Sequence, residues 1–506
     1  MQQAGRVGKG GGQTLRDRYG AFVGGRWSHE GSVGRSEVFD PSTGEQLAEV
    51  VDTGAAEVDE AVTAGLAAQG EWWRGGWEAR ALVLHRLADD LAGQAESFAE
   101  LDARNGGIVI RGARRDVANA VRYLRYFAGI ASELKGQTLE GSTDTLSATF
   151  REPYRVVGRI VPFNHPLQFA VAAVAAPLAA GNAVVLKPAQ QTPVSALHFA
   201  ALAESHLPRG ILSVLPGGAE VGAAIVGHPR IPRVGFTGSV TTGKAVLRQS
   251  AEHIKAVSLE LGGKNPMVIG PDVPPEIAAE GIVTGMNLLR TAGQSCGSAS
   301  RIYVHESRYA ETERHLVAAF AALSPGPAMD ERSDLGPLVS QAQQQRVLHL
   351  VDEAERAGSA LLTGGRAPTA LGPGFFVSPA VFGRVDDKAL IATEEVFGPV
   401  ISMHAWSDED DVVERVNASP LGLTANIVTN DLALALRLAQ GVEAGYVWVN
   451  GRAQRPFGAP FGGYKQSGLG AENGLDELLS YTRIKNVNLS ALQMTTDQER
   501  VLTYAT

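Results

Sequence analysis

The sequence predicts an α/β protein built on two doubly wound parallel sheets, and two patterns in its 506 residues carry that prediction. Between residues 155 and 263, short β-branched runs alternate with Ala-rich segments of helix length, as parallel strands joined by crossover helices do. A second alternating stretch begins after Lys264 and continues to about residue 465. A chain of this length exceeds what one hydrophobic core supports, so separate domains are expected.

In order, the first stretch gives strands at 156–161, 183–187, 211–215, 233–236 and 256–261, with helices at 167–180, 194–205, 219–226 and 241–250. The longest apolar run, 169–186, is broken by Pro177, Gly181 and Asn182 and followed at once by Lys187. It therefore reads as a buried helix, a turn and a buried strand, not as a membrane span. Residues 1–20 are Gly-rich, carry Arg6, Lys9, Arg16 and Arg18, and lack the apolar core of a secretory signal, so they read as a disordered tail. Segments 139–152 and 480–490 alternate like strands but have no partner nearby in sequence.

A formal charge of -9 argues against a nucleic-acid or anionic-membrane partner, since both select a basic face. The single cysteine excludes an internal disulfide and fits a reducing, cytoplasmic setting. No His/Cys cluster has metal-ligand spacing, so no metal is expected. That one cysteine, Cys296, sits in Gly293-Gln294-Ser295-Cys296-Gly297, where small neighbours leave a thiol uncrowded. Glu260 lies inside the apolar run Val257-Ser258-Leu259-Glu260-Leu261-Gly262-Gly263-Lys264, and a carboxylate buried without a partner is costly enough to suggest a tuned base. Asn164 is held between prolines in Pro162-Phe163-Asn164-His165-Pro166, a rigid amide suited to an oxyanion.

Together these segments resemble the aldehyde dehydrogenase superfamily, over about residues 20–490. Lys187-Pro188-Ala189, Phe236-Thr237-Gly238-Ser239, Glu394-Glu395-Val396-Phe397-Gly398-Pro399 and Pro460-Phe461-Gly462-Gly463-Tyr464-Lys465-Gln466-Ser467-Gly468 extend the likeness in the family's order. The resemblance implies an NAD(P)-binding domain from 21–138 and 153–263, a catalytic domain at 264–465, and oligomerisation strands at 139–152 and 480–490 that make a homodimer or homotetramer.

For the cofactor, NAD or NADP, the turn after the strand ending at Phe236 supplies Gly238, Ser239 and Gly243, and the free N–H groups of the following helix favour a pyrophosphate. Lys187 is placed for the adenosine ribose. NAD-preferring relatives commonly carry glutamate where this chain has Gln190, so the repulsion of a 2′-phosphate is removed and NADP becomes admissible. Glu395 and Phe397 match the residues that hold the nicotinamide ribose and ring, and Phe163 replaces the family's usual tryptophan beside them.

The chemistry implied is addition of the Cys296 thiolate to an aldehyde, an oxyanion held by Asn164 and the Cys296 N–H, hydride loss to the cofactor, and hydrolysis of the thioester by water that Glu260 activates. Relatives that pass the acyl group to coenzyme A lack this glutamate. Arg290, six residues before Cys296, and Arg455, in the loop that lines the family's tunnel mouth, are candidates to clamp the carboxylate of a semialdehyde acid. Two alternatives stay open: an enzyme for neutral aliphatic or aromatic aldehydes with Arg290 turned away, and a catalytically silent binding or structural member of the fold.

Overall fold

A computed structural model describes residues 15–139, 145–451 and 455–490. Its first sheet has eight strands, in the order Gly468–Leu469, Ala256–Glu260, Arg233–Thr237, Val156–Ile160, Ala183–Lys187, Leu212–Val214, Ala21–Val23 and Arg26–Ser28. The five strands from Ala256–Glu260 to Leu212–Val214 run parallel. Helices on both faces bury them, so they read as near-continuous apolar runs and not as alternation. The order reverses beside Val156–Ile160: Ala183–Lys187 follows on one side, and Arg233–Thr237 crosses back to the other. Ligands of open α/β sheets lie outside the carboxyl ends of the strands at such a switch point. Lys187 and Glu260 are the last residues of their strands, Gly238 follows Thr237, and Asn164 lies just past Ile160.

The second sheet has seven strands, in the order Ala360–Thr363, Ala380–Gly383, Val400–Trp406, Ala299–His305, Asn265–Ile269, Thr424–Val428 and Tyr446–Val449. Only the edge strand Ala360–Thr363 is antiparallel. Residues 261–264 alone connect the last parallel strand of the first sheet to the first strand of the second. The Gly262–Gly263 pair thus lies between the two sheets, and the site gathers around it.

The apolar run anticipated as helix, turn and strand becomes Pro166–Ala179, a turn at Gly181 and Ala183–Lys187, buried except for the half-buried Phe169 and Ala172 of the helix. Gly181 is required in that turn: its φ is 85°, and a Cβ there would lie 2.5 Å from the Trp73 ring. No described helix is long and apolar enough to cross a membrane.

Two expectations need correction. The tail read over 1–20 is structured at its end, because Arg18–Tyr19 pairs in parallel with Gln46–Asp52 and Tyr19 is buried; residues 1–14 lie outside the described part. The segments expected to have no partner nearby in sequence find one in each other, Thr145–Pro153 and Thr482–Ser490 forming an antiparallel ladder, and the first also pairs with the nearby Thr138–Leu139 on the far edge. Residues 140–144 of the expected strand lie outside the described part. The ladder's Leu146, Phe150, Ile484 and Leu489 side chains are exposed. The antiparallel edge strands of the first sheet, Gly468–Leu469 and the Ala21–Ser28 hairpin, had no signal in the alternation, since each is recruited from a remote part of the chain.

Candidate active site

Cys296 lies in the loop between the short helix Leu288–Thr291 and the strand Ala299–His305. The loop is tightly determined. Asn287 and Ala292 take left-handed φ values of 56° and 50°, a conformation costly to residues bearing Cβ and kept only where surroundings over-determine it. The Asn265 side chain supplies part of that constraint: Nδ2 donates to the carbonyls of Cys296 at 2.7 Å and Ser298 at 2.9 Å, while Oδ1 accepts from Thr424 N. Ser298 Oγ donates to Met286 O at 2.9 Å, and Gln294 Oε1 accepts from Val339 N at 3.1 Å. Gly293 admits the close approach of Gly398 O, which would lie 2.5 Å from a Cβ at that position.

Asn164 arrives from the other sheet. Its Nδ2 donates to Gln294 O at 2.9 Å, which turns the amide's donor edge toward the Cys296 loop; an NH2 group has two protons, so a second donor remains. Glu260 is only 5% exposed, and among the described residues neither carboxylate oxygen has a hydrogen-bond partner. Burial, reinforced by the charge of Glu472, pushes its carboxyl well above the ordinary range. The Cys296 thiol is half-buried; burial raises it too, and the nearby Arg455 guanidinium opposes that shift.

Cys296, Glu260, Asn164, Phe163, Gly238, Ser239, Glu395 and Phe397 line one cavity of 260 Å³. Glu395 Oε1 accepts from Gly263 N at 3.1 Å. A Cβ on Gly262 would fall 2.0 Å from Glu395 Oε2, so the glycine pair of the Glu260 segment is what lets this carboxylate in. Arg346 donates to the carbonyls of Glu395 and Val396, and Gln343 to that of Phe397, which fixes the loop. Phe163 meets Phe397 edge to face, with ring centroids 5.6 Å apart. Lys264, which closes the Glu260 motif, is buried with no hydrogen-bond partner for Nζ among the described residues, and burial brings its ammonium down to about 7.

Ser239, which lines the cavity, caps the helix Val240–Ala251 by accepting from Thr242 N at 3.2 Å, so the N-terminus of that helix stands at the cavity's edge. Gly243 is buried against Leu261, whose Cδ2 would lie 2.6 Å from a Cβ, so the glycine lets the helix sit close to the segment that follows the strand Ala256–Glu260. Lys187 is buried, donates to Pro188 O at 2.9 Å, and is brought by burial to about 8. These residues fit a dinucleotide: a helix N-terminus for the diphosphate, an ammonium and an amide at one end, and Glu395 with Phe397 at the other. Among the described residues no cluster suits a metal ion.

The two arginines are not equivalent. Arg290 Nη2 donates to Asp116 Oδ1 and, at 3.1 Å, to Gln168 Oε1, so the expected pair of free guanidinium groups is not assembled. The reason is Asp116, which is fully buried on the helix Ile110–Gly129 and also accepts from His165 Nδ1 at 2.7 Å. Burial works to raise this carboxyl, but His165 and Arg290 outweigh it and hold it below its ordinary value. Arg455 is different: it stacks 3.7 Å over Phe461, its Nη2 reaches within 3.1 Å of where a Gly297 Cβ would stand, and no carboxylate pairs with it among the described residues. Asn265, Asp116 and Arg346 were not singled out in the sequence, where each stands outside any recognisable motif of chemistry.

An aldehyde dehydrogenase family model matches residues 27–487. The chain is 39% identical over 487 residues to the aldehyde dehydrogenase tropH of Talaromyces stipitatus, covering 94% of each. It is 37% identical to a betaine aldehyde dehydrogenase of Brucella anthropi, covering 92% of this chain and 96% of that one. Among solved structures it is similar to the NAD+ complex of an aldehyde dehydrogenase from Bacillus cereus, with a TM-score of 0.91, 38% identity and coverage of 94% and 97%. A Staphylococcus aureus betaine aldehyde dehydrogenase in complex with NAD+ gives a TM-score of 0.92 at 30% identity, with coverage of 96% and 97%.

Proposed function

The chain belongs to the aldehyde dehydrogenase family and is an enzyme of that class that uses NAD or NADP, and on that premise we propose that it oxidises a semialdehyde acid by way of a Cys296 thioester. The observation that carries the mechanism is the meeting of Cys296, Glu260 and Asn164 in one cavity from different parts of the chain.

The Cys296 thiolate adds to the carbonyl carbon, and the C=O electron pair moves to oxygen, where the free N–H of Asn164 Nδ2 and the Cys296 backbone N–H stabilise it. Lys187, Gln190, Ser239, Glu395 and Phe397 would hold NAD or NADP, which when bound would supply the acceptor for the hydride lost from this carbon. Collapse of the oxyanion to C=O expels that hydride and leaves a thioester. Glu260, ionised, removes a proton from water as the water attacks the acyl carbon; the C–S bond breaks, and the acid and the Cys296 thiolate separate. A carboxylate without hydrogen bonds of its own is free to take that proton.

The substrate's carboxylate would be gripped by Arg455 alone, because Arg290 is committed to Asp116. A second reading, a neutral aldehyde, is favoured by that same commitment, and phenylacetaldehyde, named for a relative from Pseudomonas fluorescens that is 38% identical, carries no carboxylate. Arg455→Leu separates them. For a semialdehyde acid kcat/KM should fall about 10- to 100-fold, since a charge-assisted hydrogen bond contributes roughly 1.5–3 kcal/mol, while a neutral aldehyde of equal length is spared. Equal losses on both would assign Arg455 to the thiol and not to the substrate. Arg290→Leu should behave differently again: it strands a buried carboxylate, so thermal unfolding of the variant should show a lower Tm, with a cost of about 3 kcal/mol. An unchanged Tm would mean that His165 alone satisfies Asp116.

A further inference from the structure

We propose that Asp52, acting through Ser36, locks Gln190 as a hydrogen-bond acceptor and makes the adenosine end of the cofactor site selective for NAD over NADP. The inference rests on the cofactor reading above, in which Lys187 and Gln190 hold the adenosine ribose.

Three residues from different parts of the chain are linked here: Asp52 ends the strand Gln46–Asp52, Ser36 lies within the strand Gly34–Phe39, and Gln190 follows the strand Ala183–Lys187. Gln190 Nε2 lies 2.8 Å from Ser36 Oγ, and Ser36 Oγ is hydrogen-bonded to Asp52 Oδ2. The direction of this chain is forced by the inventory of protons. A carboxylate only accepts, so Ser36 spends its single proton on Asp52 and can only accept from Gln190. The amide must therefore turn its NH2 toward Ser36, which leaves Oε1 as the open edge.

That edge points at a definite place. Gln190 Oε1 stands 3.2 Å from where a Cβ on Gly218 would be, and Lys187 Cδ stands 3.6 Å from the same point on Gly222. These two glycines, four residues apart at the start of the helix Ala219–Gly227, lie on one face of it, so the amide oxygen and the lysine stem border one glycine-floored space. The charge of Asp52 also reaches Lys187.

A ribose with a free 2′-hydroxyl suits this arrangement, because the hydroxyl can donate to Gln190 Oε1 and accept from Lys187. A 2′-phosphate does not. It would meet an acceptor oxygen that offers no proton and, one hydroxyl behind it, a carboxylate that partly cancels the lysine's charge. Rotating the amide to present NH2 would set its oxygen against Ser36, whose proton is already given to Asp52. A position whose uncharged amide would, free to rotate, admit NADP thus presents the acceptor edge that a carboxylate would present.

The test is a fluorescence titration of the purified enzyme without substrate, giving Kd for NADH and for NADPH. Wild type should bind NADH at least about tenfold more tightly, and the gap should shrink as salt rises because the site is partly solvated. Asp52→Asn should narrow the ratio about tenfold, and Ser36→Ala should narrow it as well by releasing Gln190 to turn. A wild-type enzyme without preference for NADH, or two variants that keep the wild-type ratio within about twofold, would overturn the proposal. Lys187→Ala tells that failure apart from a failure of the cofactor reading: it should weaken both nucleotides, and if it weakens neither, the site itself is misassigned.

Discussion

Cys296→Ser should abolish aldehyde oxidation, with turnover falling more than about 1,000-fold, which is roughly 4 kcal/mol in barrier. A serine hydroxyl at neutral pH is a far weaker nucleophile than a thiolate, and no other cysteine exists to substitute. The loop should survive the change, because Asn265 and Ser298 hold backbone carbonyls and not the thiol. Cofactor affinity measured by titration should therefore match wild type. Retention of more than about a tenth of the turnover would remove Cys296 from the chemistry.

Glu260→Gln should show a different pattern: a burst of NADH or NADPH close to one per active site, then turnover slowed by about 100-fold or more. Acylation and hydride loss need no base at Glu260, whereas water attack on the thioester does. The pH profile gives the sign. Only the ionised carboxylate accepts the proton, and burial holds its titration well above the ordinary carboxylate range, so wild-type deacylation should rise with pH through that elevated value and fall below it. The variant should lose this limb. It should also unfold no earlier than wild type, since the change removes a buried carboxyl that has no hydrogen-bond partner. A variant with neither burst nor steady turnover would place Glu260 before acylation, in activation of the thiol.

The residues of this chemistry were legible because each sits in a short segment whose local demands show in the chain. Cys296 is flanked by small residues, Glu260 interrupts an apolar strand, and Asn164 is set between prolines. Strand–helix alternation likewise marked the parallel strands, whose burial on both faces dictates composition. What local pattern cannot carry is pairing at long range. Asp116 claims Arg290 from the helix Ile110–Gly129, and Asp52 reaches Gln190 through Ser36, both across more than a hundred residues of sequence. The same limit hid Gly243's packing against Leu261 and the ladder between Thr145–Pro153 and Thr482–Ser490. A motif states which residue types a site needs; what has already spent their protons and charges is decided by neighbours brought in by the fold.

The most direct measurement of the central claim is intact-protein and peptide mass spectrometry of the Glu260→Gln enzyme, quenched in acid after mixing with an aldehyde and NAD. The expected result is one added acyl group, localised to the peptide that contains Cys296 and present only when both reagents are supplied. Full release of acid or reduced cofactor with Cys296 unmodified throughout would contradict the thioester route.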